Sequence, residues 1–515
     1  MIEGKLQRKV KTVEALCAEI GPRPRKRKVI MCHGTFDIVH PGHIRHLMYA
    51  KSKADVLVAS LTADRHIAKA NFRPFVPQEL RAMNLAALEC VDYVVIDTEA
   101  KPLKNLSLIQ PDFFAKGYEY VNGGMDPRTK EELNVLESYG GEFIYTPGDI
   151  VYSSSAIIEK TPPDLSTDKL MALLDAEGLN FSDLRAALLK LKGIKVHVVG
   201  DTIVDSYSYT TLIGGNTKTP TFSVRLDEQH DYVGGAGIVA KHLGAAGAEV
   251  TFTTVLGNDS LKDFVLSDLA SAGIKVNAIV DSTRPTTNKN AFIADHYRLL
   301  KVDRVDNRSI SDKILAQMTA HVANTGAQAV AFCDFRHGIF NRHTIPDLIK
   351  AIPPDVYRVA DSQVASRWGN ILEFKGFDLI TPNEREARFA LGDQDSVVRP
   401  LALELYRQAE CKTLILKMGE RGLITYRGVP KAQEDVRSFF VVDTFAQNVV
   451  DAVGSGDALL AYATLSMVAT GNEVIASVIG SIAAAVECEH DGNIPVQPVQ
   501  VTEALDRIEK RAVFG

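Results

Sequence analysis

Two short stretches of the chain combine residue types and spacings that chemistry needs. "HGTFDIVHPGH" at 33–43 sets His40 and His43 three apart around Pro41-Gly42, where the apolar run "VIMC" gives way to a helical pattern. "VVDAVGSGDALLAYATL" at 449–465 sets Asp457 just behind Gly454, Ser455 and Gly456, at the start of a strongly apolar helix. A helix N-terminus carries unpaired N–H groups and the positive end of the helix dipole, so both places suit an anion. In the first, Gly34 allows a tight turn, Gly42 lets backbone approach an anion closely, and the imidazoles can donate to phosphate oxygens. Zinc would want a third or fourth ligand at suitable spacing, and none is evident; plain packing of the rings is the other reading. In the second, the backbone N–H groups of the glycine turn and the helix dipole favour a developing phosphate charge beside Asp457. An N-terminal capping charge is the simpler alternative, and the flanking glycines and Asp451 weigh against it.

The elements around these stretches predict parallel sheets. "VIMC", "DVLVAS", "DYVVI" and "EFIYT" read as strands, with the helical patterns "GHIRHLMYAKS", "PQELRAMNLAALE" and "PRTKEELNVLESYG" between them. Such alternation predicts a parallel sheet with helices on both faces. "KTPPDLSTD" breaks the pattern near Lys160, and two helical stretches run on to about Leu191. A new strand, "KVHVVGD", starts at Lys195. Between Asp205 and Tyr232 the chain is rich in Tyr, Thr and Val, which predicts a small β-sheet projecting from the main body. Alternation then resumes with "AEVTFTTVLG", "AVAFCD", "VYRVAD", "FDLITPN" and "TLILKMG". The expected fold class is α/β in two domains: an extension at 1–27, a Rossmann-like domain at 28–160, a helical linker at 161–192 and an α/β/α sandwich with a small β-sheet lid at 193–515.

A length of 515 residues, 46% hydrophobic and 24% charged, fits a multidomain globular chain, and the net charge of -6 argues against broad nucleic-acid binding. The one basic run, "RPRKRK" at 23–28, reads as a solvated lead-in to the first strand. Six scattered cysteines without a CxxC pair fit a reducing cytoplasm. "MIEGKLQRKV" has no apolar h-region, and the apolar stretch from Ala458 to Val486 is broken by "GNE", so two buried helices rather than a membrane span are expected.

"HGTFDIVHPGH" resembles the HxGH signature of the cytidylyltransferase-like nucleotidyltransferases. Further pieces follow in order: "ELRAMNLAALECVDYVV" with Arg81, "FAKGYEY", and "VYSSSAII" with Ser153, Ser154 and Ser155. "CVDYVV" and "AKGYEY" are similar to the nucleotidyltransferase half of bacterial ADP-heptose synthases. The resemblance implies that His40 and His43 act on the α-phosphate of a nucleoside triphosphate. Gly34, Thr35, Phe36, Gly42, Lys51, Arg81 and the three serines would bind the nucleotide, and Asp37 would orient the backbone of the motif.

The region 195–515 resembles ribokinase-like (PfkB-type) sugar kinases. "NVVDAVGSGD" is similar to their second signature, which makes Asp457 the general base and Gly454, Ser455 and Gly456 the phosphate-binding turn. "GDTIVD" supplies Asp201 and Asp205, and "YVGGAGIVAKHLGAAGAEVTFTTVLGNDS" supplies Gly234 and Gly235; Asp205 and these glycines would hold the acceptor. "TPNEREA" contains an NxxE element, Asn383 and Glu386, and "LKMGERG" contributes Lys417 and Gly419 beside the nucleotide. There are departures: "GGAAN" reads "GGAGI" with Ile238, "DYxKG" reads "DFRHG" at 334–338, and "DPK" reads "DSQ" at 361–363. Two lysines are absent; Arg336 and His337 could partly substitute for one, while Gln363 stands at the other.

Together these features resemble a bifunctional ADP-heptose-synthase type of enzyme with its two halves in reversed order. The implied activities are a carbohydrate kinase acting on a sugar or sugar phosphate, a heptose phosphate by this resemblance, and a nucleotidyltransferase making a nucleotide-sugar and pyrophosphate. ATP would serve the kinase and ATP or CTP the transferase. Mg²⁺ would ride on the phosphates, without direct protein ligands, and meet Asn383 and Glu386 through water. A cytoplasmic homodimer through the kinase lid is expected, with no nucleic-acid or membrane partner. The alternative is a nucleotidyltransferase, with CTP and a polyol phosphate, whose kinase-like half is a scaffold or ligand sensor.

Overall fold

The structure is a computed structural model that describes residues 6–67, 74–117, 127–146, 166–215, 222–295, 297–364, 368–428, 438–446, 449–490 and 492–514. Its described chain divides into two compact units, with the boundary at Leu173–Leu174.

The first unit is built on six strands: β1 (Val10–Lys11), β2 (Val29–Gly34), β3 (Val56–Thr62), β4 (Tyr93–Asp97), β5 (Phe113–Gly117) and β6 (Glu142–Thr146). Their order is β1-β4-β3-β2-β5-β6, and every pairing is parallel. β2 and β3 are almost wholly buried, as strands covered by helices on both faces must be. Successive strands run one way from β2 to β4 and the other way from β5 to β6. The order therefore reverses between β2 and β5, where a ligand crevice opens beyond the carboxyl ends. The segment at 1–27 is not loose along its described part: β1 pairs with β4, and helix Val13–Ile20 buries Leu16.

The basic run departs from the solvated reading. Arg23 donates to the carbonyls of Tyr139 and Gly140, and Arg25 to that of Ile109. These carbonyls lie at or just beyond the ends of helices Pro127–Ser138 and Leu103–Ile109, where C=O groups lack intrahelical partners. Arg23 and Arg25 thus turn inward, and Pro24, Lys26, Arg27 and Lys28 remain exposed.

In the second unit, β7 (Lys195–Gly200) leads into the long hairpin β8 (Thr202–Gly215) and β9 (Phe222–Gly235). β10 (Glu249–Leu256), β11 (Lys275–Val280), β12 (Asn288–Ala294), β13 (Tyr297–Arg304), β14 (Ala329–Asp334), β15 (Tyr357–Ser362), β16 (Leu379–Ile380), β17 (Thr413–Lys417), β18 (Leu423–Arg427) and β19 (Phe439–Val442) follow. A nine-stranded sheet, β11-β10-β7-β14-β15-β16-β17-β18-β19, is parallel as far as β17. A four-stranded sheet, β13-β12-β8-β9, forms the lid; its β12 and β13 lie beyond the stretch whose composition announced it. The apolar stretch after Asp457 forms two helices, Ser455–Thr470 and Glu473–Cys488, buried along most of their length. Among the described residues no helix is long and apolar enough to cross a membrane. Of the two helices expected as a linker, Phe181–Leu189 packs into the second unit: Leu184 is buried and Arg185 pairs with Asp506 and Glu509 on the last helix.

Candidate active sites

In the first unit, β2 ends at Gly34 and helix Pro41–Lys51 begins seven residues later, at the switch point of the sheet. His40 is the N-cap: its Nδ1 accepts the Gly42 N–H at 3.2 Å. That bond makes Nδ1 an acceptor, so a neutral His40 carries its proton on Nε2. The His43 ring stacks on His40 with centroids 3.9 Å apart and meets the edge of Phe36 at 5.2 Å. Burial lowers the pKa of both imidazoles. His43 falls to about 4, with His40 and His46 adding to the effect, so the pair is neutral near pH 7. Gly42 packs tightly under His40: a Cβ there would lie 3.0 Å from His40 Cε1, so the ring would have to shift. Phe36 has φ 47°, a left-handed conformation at the turn of the loop.

Behind this turn, Asp37 accepts the N–H groups of Phe75 and Val76 at 2.9 and 2.8 Å, so these bonds tie the turn to that segment instead of orienting the backbone of the motif itself. Arg81 is fully buried. Its guanidinium donates to the carbonyls of Thr35 and Thr62 and to Asp64, so in this structure it braces the turn rather than facing outward. Lys51 lies at the far end of the 11-residue helix, about 15 Å along its axis from His40. There its ammonium meets Asp92 Oδ2 and the Asp55 carbonyl, both at 2.6 Å. Ser153, Ser154 and Ser155 lie outside the described residues.

Three groups near the switch point take no role from the sequence reading, although Lys116 lies in "FAKGYEY" and His33 in "HGTFDIVHPGH". Lys116, next to last in β5, pairs with Glu132. His46 Nδ1 lies 2.7 Å from Thr146 Oγ1. His33 sits between Ser60 and Thr62 beside Asp97; burial drives His33 down to about 3 and Asp97 up to about 6. A lysine directly before a glycine at a strand end was the signal available for Lys116.

In the second unit Asp457 lies in the first turn of helix Ser455–Thr470, whose N-cap is Gly454 at φ 89°. Among the described residues no side chain caps this end, and with the N–H groups of Asp457 and Ala458 bonded to the Gly454 carbonyl, those of Ser455 and Gly456 are left for a ligand. Burial raises the Asp457 pKa to about 8; Asp361, Asp205 and Glu487 push the same way and Lys417 opposes them. Lys417 is buried at the end of β17, and its Nζ lies 3.3 Å from Asp361 Oδ1 and 3.2 Å from where a Cβ on Gly456 would sit. Burial alone would lower the Lys417 pKa, but Asp361, Glu386 and Asp457 outweigh it and raise it.

Asn383 and Glu386 form a capping box: each side chain bonds the backbone N–H of the other, and Asn383 Nδ2 donates to Glu386 Oε1 at 2.7 Å. Gly419 opens the tight turn after β17 at φ 62°. On β8, Asp205 is almost fully enclosed, and burial raises its pKa against the opposing charges of Lys289 and Lys301. Gly234 is obligatory, because a Cβ there would come within 2.1 Å of Asp205 Oδ2; Gly235 takes φ 62°. Ser455 Oγ donates to the Ala452 carbonyl at 2.9 Å.

The fold thus gathers Asp457, Asp205, Lys417, Asn383, Glu386 and the two glycine turns. It adds residues that the sequence reading missed. Asn493 Nδ2 donates to Asp205 Oδ2 at 3.3 Å, while its Oδ1 would lie 3.0 Å from a Cβ on Gly454. Glu487 approaches the same turn, buried and raised by burial to about 8. Neither of its oxygens meets a donor at hydrogen-bond geometry among the described residues. Lys289 pairs in register with Asp205 across β12 and β8.

The departures resolve as follows. Ile238 is buried. His337 Nδ1 lies 2.7 Å from Asn307 Oδ1, and burial, with Lys289 and Arg336, lowers its pKa to about 4, so it supplies no lysine-like charge. Asp201 accepts from the backbone N–H groups of Phe335, His337 and Ile339, which shapes the "DFRHG" loop.

Residues 194–499, more than half of the chain, match the family model described as pfkB family carbohydrate kinase, and the chain belongs to that family. Residues 31–160 match the cytidylyltransferase-like family model, so that match precedes the kinase match along the chain. Among curated relatives, the bifunctional protein HldE of Pelobacter propionicus is 26% identical over 315 residues, which are 60% of this chain and 62% of that one. HldE of Helicobacter pylori is 38% identical over 138 residues, 26% of this chain and 28% of that one. The chain therefore spans less than two thirds of the length of these relatives. Among solved structures, Escherichia coli phosphofructokinase-2 in its tetrameric inhibited form is similar at TM-score 0.51 and 15% identity, over 61% of this chain and 99% of that one. Its complex with potassium gives 0.52 and 14% over the same shares. These likenesses show the fold.

Proposed function

We propose that the chain is a bifunctional sugar-activating enzyme. Its second unit phosphorylates a sugar or sugar phosphate, a heptose phosphate being the substrate favoured by the HldE relatives. Its first unit transfers a nucleotidyl group from ATP or CTP to a sugar 1-phosphate, giving a nucleotide-sugar and pyrophosphate. The observation that carries the reading is Asp457. It is a buried carboxyl whose pKa is raised toward neutrality, at an uncapped helix N-terminus, between Lys417 and the acceptor-side Asp205. Groups tuned this way in a cleft suit proton transfer at neutral pH.

In the kinase step Asp457 takes the proton of the acceptor hydroxyl as that oxygen attacks the γ-phosphorus, and the bond to the bridging oxygen of ADP breaks. The N–H groups of the Gly454–Gly456 turn and Lys417 meet the charge on the transferring phosphoryl oxygens. Asp205, held by Asn493, orients the acceptor. Mg²⁺ fits Asn383 and Glu386 only through water, because their polar atoms already bond one another; bound on the triphosphate, it would neutralise phosphate charge. In the transferase step a sugar phosphate oxygen attacks the α-phosphorus and pyrophosphate leaves. His40, with its Nε2–H outward, and His43 donate to the phosphate oxygens. The apolar outer strands of the lid support a homodimer, and the absence of a spanning helix among the described residues is compatible with a cytoplasmic enzyme.

The test follows ADP and pyrophosphate separately, with ATP or CTP and a panel of sugar phosphates. Asp457→Asn is expected to abolish ADP formation alone, and His43→Ala pyrophosphate release alone. ADP formation untouched by Asp457→Asn would sink the kinase assignment.

A further inference from the structure

A cavity of about 440 Å³ opens in the second unit between the loop after β14, the loop after β15 and the segment after β13. None of Asp457, Asp205, Gly234 or Lys417 lines it, so it is not the transfer site. Its volume lies within the range of small-ligand pockets, roughly 300–1,000 Å³.

Arg336 is the anchor. It has φ 66°, a left-handed backbone in a bulky residue, which persists only where the surroundings enforce it. The enforcement is visible. Its N–H donates to Asp334 Oδ1 at 2.9 Å, and its Nη1 to Asp334 Oδ2 and the Phe340 carbonyl, each at 3.3 Å. Asp334 also receives Ser362 Oγ at 2.7 Å and Asn370 Nδ2 at 2.8 Å, so its charge is shared among several donors. Burial and the nearby Asp201 raise the Asp334 pKa. Arg336 Nε is buried without a partner among the described residues, and the hydrogen bonds of the guanidinium run from Nη1, which leaves Nη2 to face a ligand. A guanidinium pinned along one edge and unsatisfied elsewhere is pre-organised for an oxyanion.

The rim adds two features. Among the described residues Arg342 pairs with Glu373, at 3.3 Å, and its side chain is 84% exposed. Trp368, the one tryptophan of the chain, is 68% exposed and touches Phe389 edge-on at 6.1 Å, leaving ring surface open. An exposed indole beside arginines offers an apolar face to a ring whose charged group lies on the guanidinium.

We propose that this cavity is a second ligand site that takes a small phosphate monoester, its phosphate on Arg336 and its ring against Trp368. The ring is that of a sugar phosphate or of a nucleotide. The site is independent of the transfer chemistry proposed above.

Because Trp368 is the sole tryptophan, intrinsic fluorescence reports on this cavity directly. The full chain is titrated with glucose 6-phosphate, AMP, glucose, adenosine and inorganic phosphate. Expected is a saturable change with one or both phosphorylated ring compounds and none with glucose or adenosine; which of the two responds names the ring. Arg336→Asn, a residue that tolerates positive φ, should weaken binding at least about ten-fold. Arg336→Lys should do the same, since its single ammonium is engaged by Asp334; it serves if Arg336→Asn does not fold. Asp205→Asn should leave the titration unchanged. The proposal is overturned if no phosphorylated probe saturates by about 10 mM. It is equally overturned by equal responses to glucose and its phosphate, by unchanged affinity in the folded Arg336 variants, or by loss of the signal in Asp205→Asn, which would place the ligand in the transfer site.

Discussion

Asp457 and the histidine pair handle protons in opposite ways, and burial explains both. Moving a carboxyl out of water disfavours its anion, and moving an imidazole out of water disfavours its cation. Asp457, raised to about 8, must lose its proton before it can act as base. ADP formation at subsaturating substrate is therefore expected to climb between pH 6.5 and 8.5, read as initial rates at constant free Mg²⁺. Asp457→Asn should lower it by about 10²–10⁴ at every pH. The same shift bears on stability. A carboxyl raised from 3.8 to about 8 favours the fold fully below pH 3.8, and that contribution is lost as pH rises through 8. The melting advantage of Asp457→Asn over wild type should consequently grow with pH, being several degrees larger at pH 9 than at pH 4, in a thermal melt without ligand. At the other site, Gly42→Ala would set a methyl against the His40 ring. It should cut pyrophosphate release by about ten-fold or more, with unchanged far-UV circular dichroism.

At the scale of elements, the Gln78–Ala86 helix shows how a residue can carry a motif and yet serve the fold. Arg81, buried and bonded to Thr35, Thr62 and Asp64, ties that helix to the turn after β2. Arg81→Met leaves Asp64 and two carbonyls without their donor, so a loss of about 3 kcal/mol is expected in urea unfolding of the first unit. A residue that only bound nucleotide would instead raise KM without moving the midpoint. Most elements were legible, because strand-helix alternation writes its period into the chain, as at "EFIYT", which is β6 to the residue. β5 was not: three apolar residues followed by Lys116 are too short a run to separate from a loop. The site divides along the same line. Glycine turns and their histidines or aspartate are contiguous, so "HPGH" and "GSGD" could be read directly. Asn493 and Asp205 are 288 residues apart and meet only through the fold, and nothing local marks Glu487 or Lys289.

At the scale of the whole molecule, the lid poses a packing problem that one chain does not solve. A strand that covers a site on one face and meets solvent on the other should alternate between buried and exposed residues. In β13 all residues but one are exposed, and in β9 exposure runs almost unbroken from Phe222 to His230. The residues involved are not polar enough for that setting. Phe222 is 79% exposed and Ile213 68%, with Leu226, Leu300, Leu212 and Val302 each near half. Register brings Leu212 opposite Val224 and Gly215 opposite Phe222 near the exposed end of the hairpin. Apolar area of this kind on a projecting sheet is stabilised by covering it, and in the homodimer proposed above a second copy of the same sheet would supply the cover. Sedimentation equilibrium at micromolar concentration should therefore return twice the chain mass of 56.3 kDa. The double variant Ile213→Asp, Leu226→Asp should return a single mass, because two carboxylates per chain would have to be buried against their counterparts. Pyrophosphate release should be unaffected in that variant, since its residues lie in the first unit. ADP formation should fall, because the lid that carries Asp205 loses its cover. A wild-type chain that sediments at 56.3 kDa would refute the shared lid.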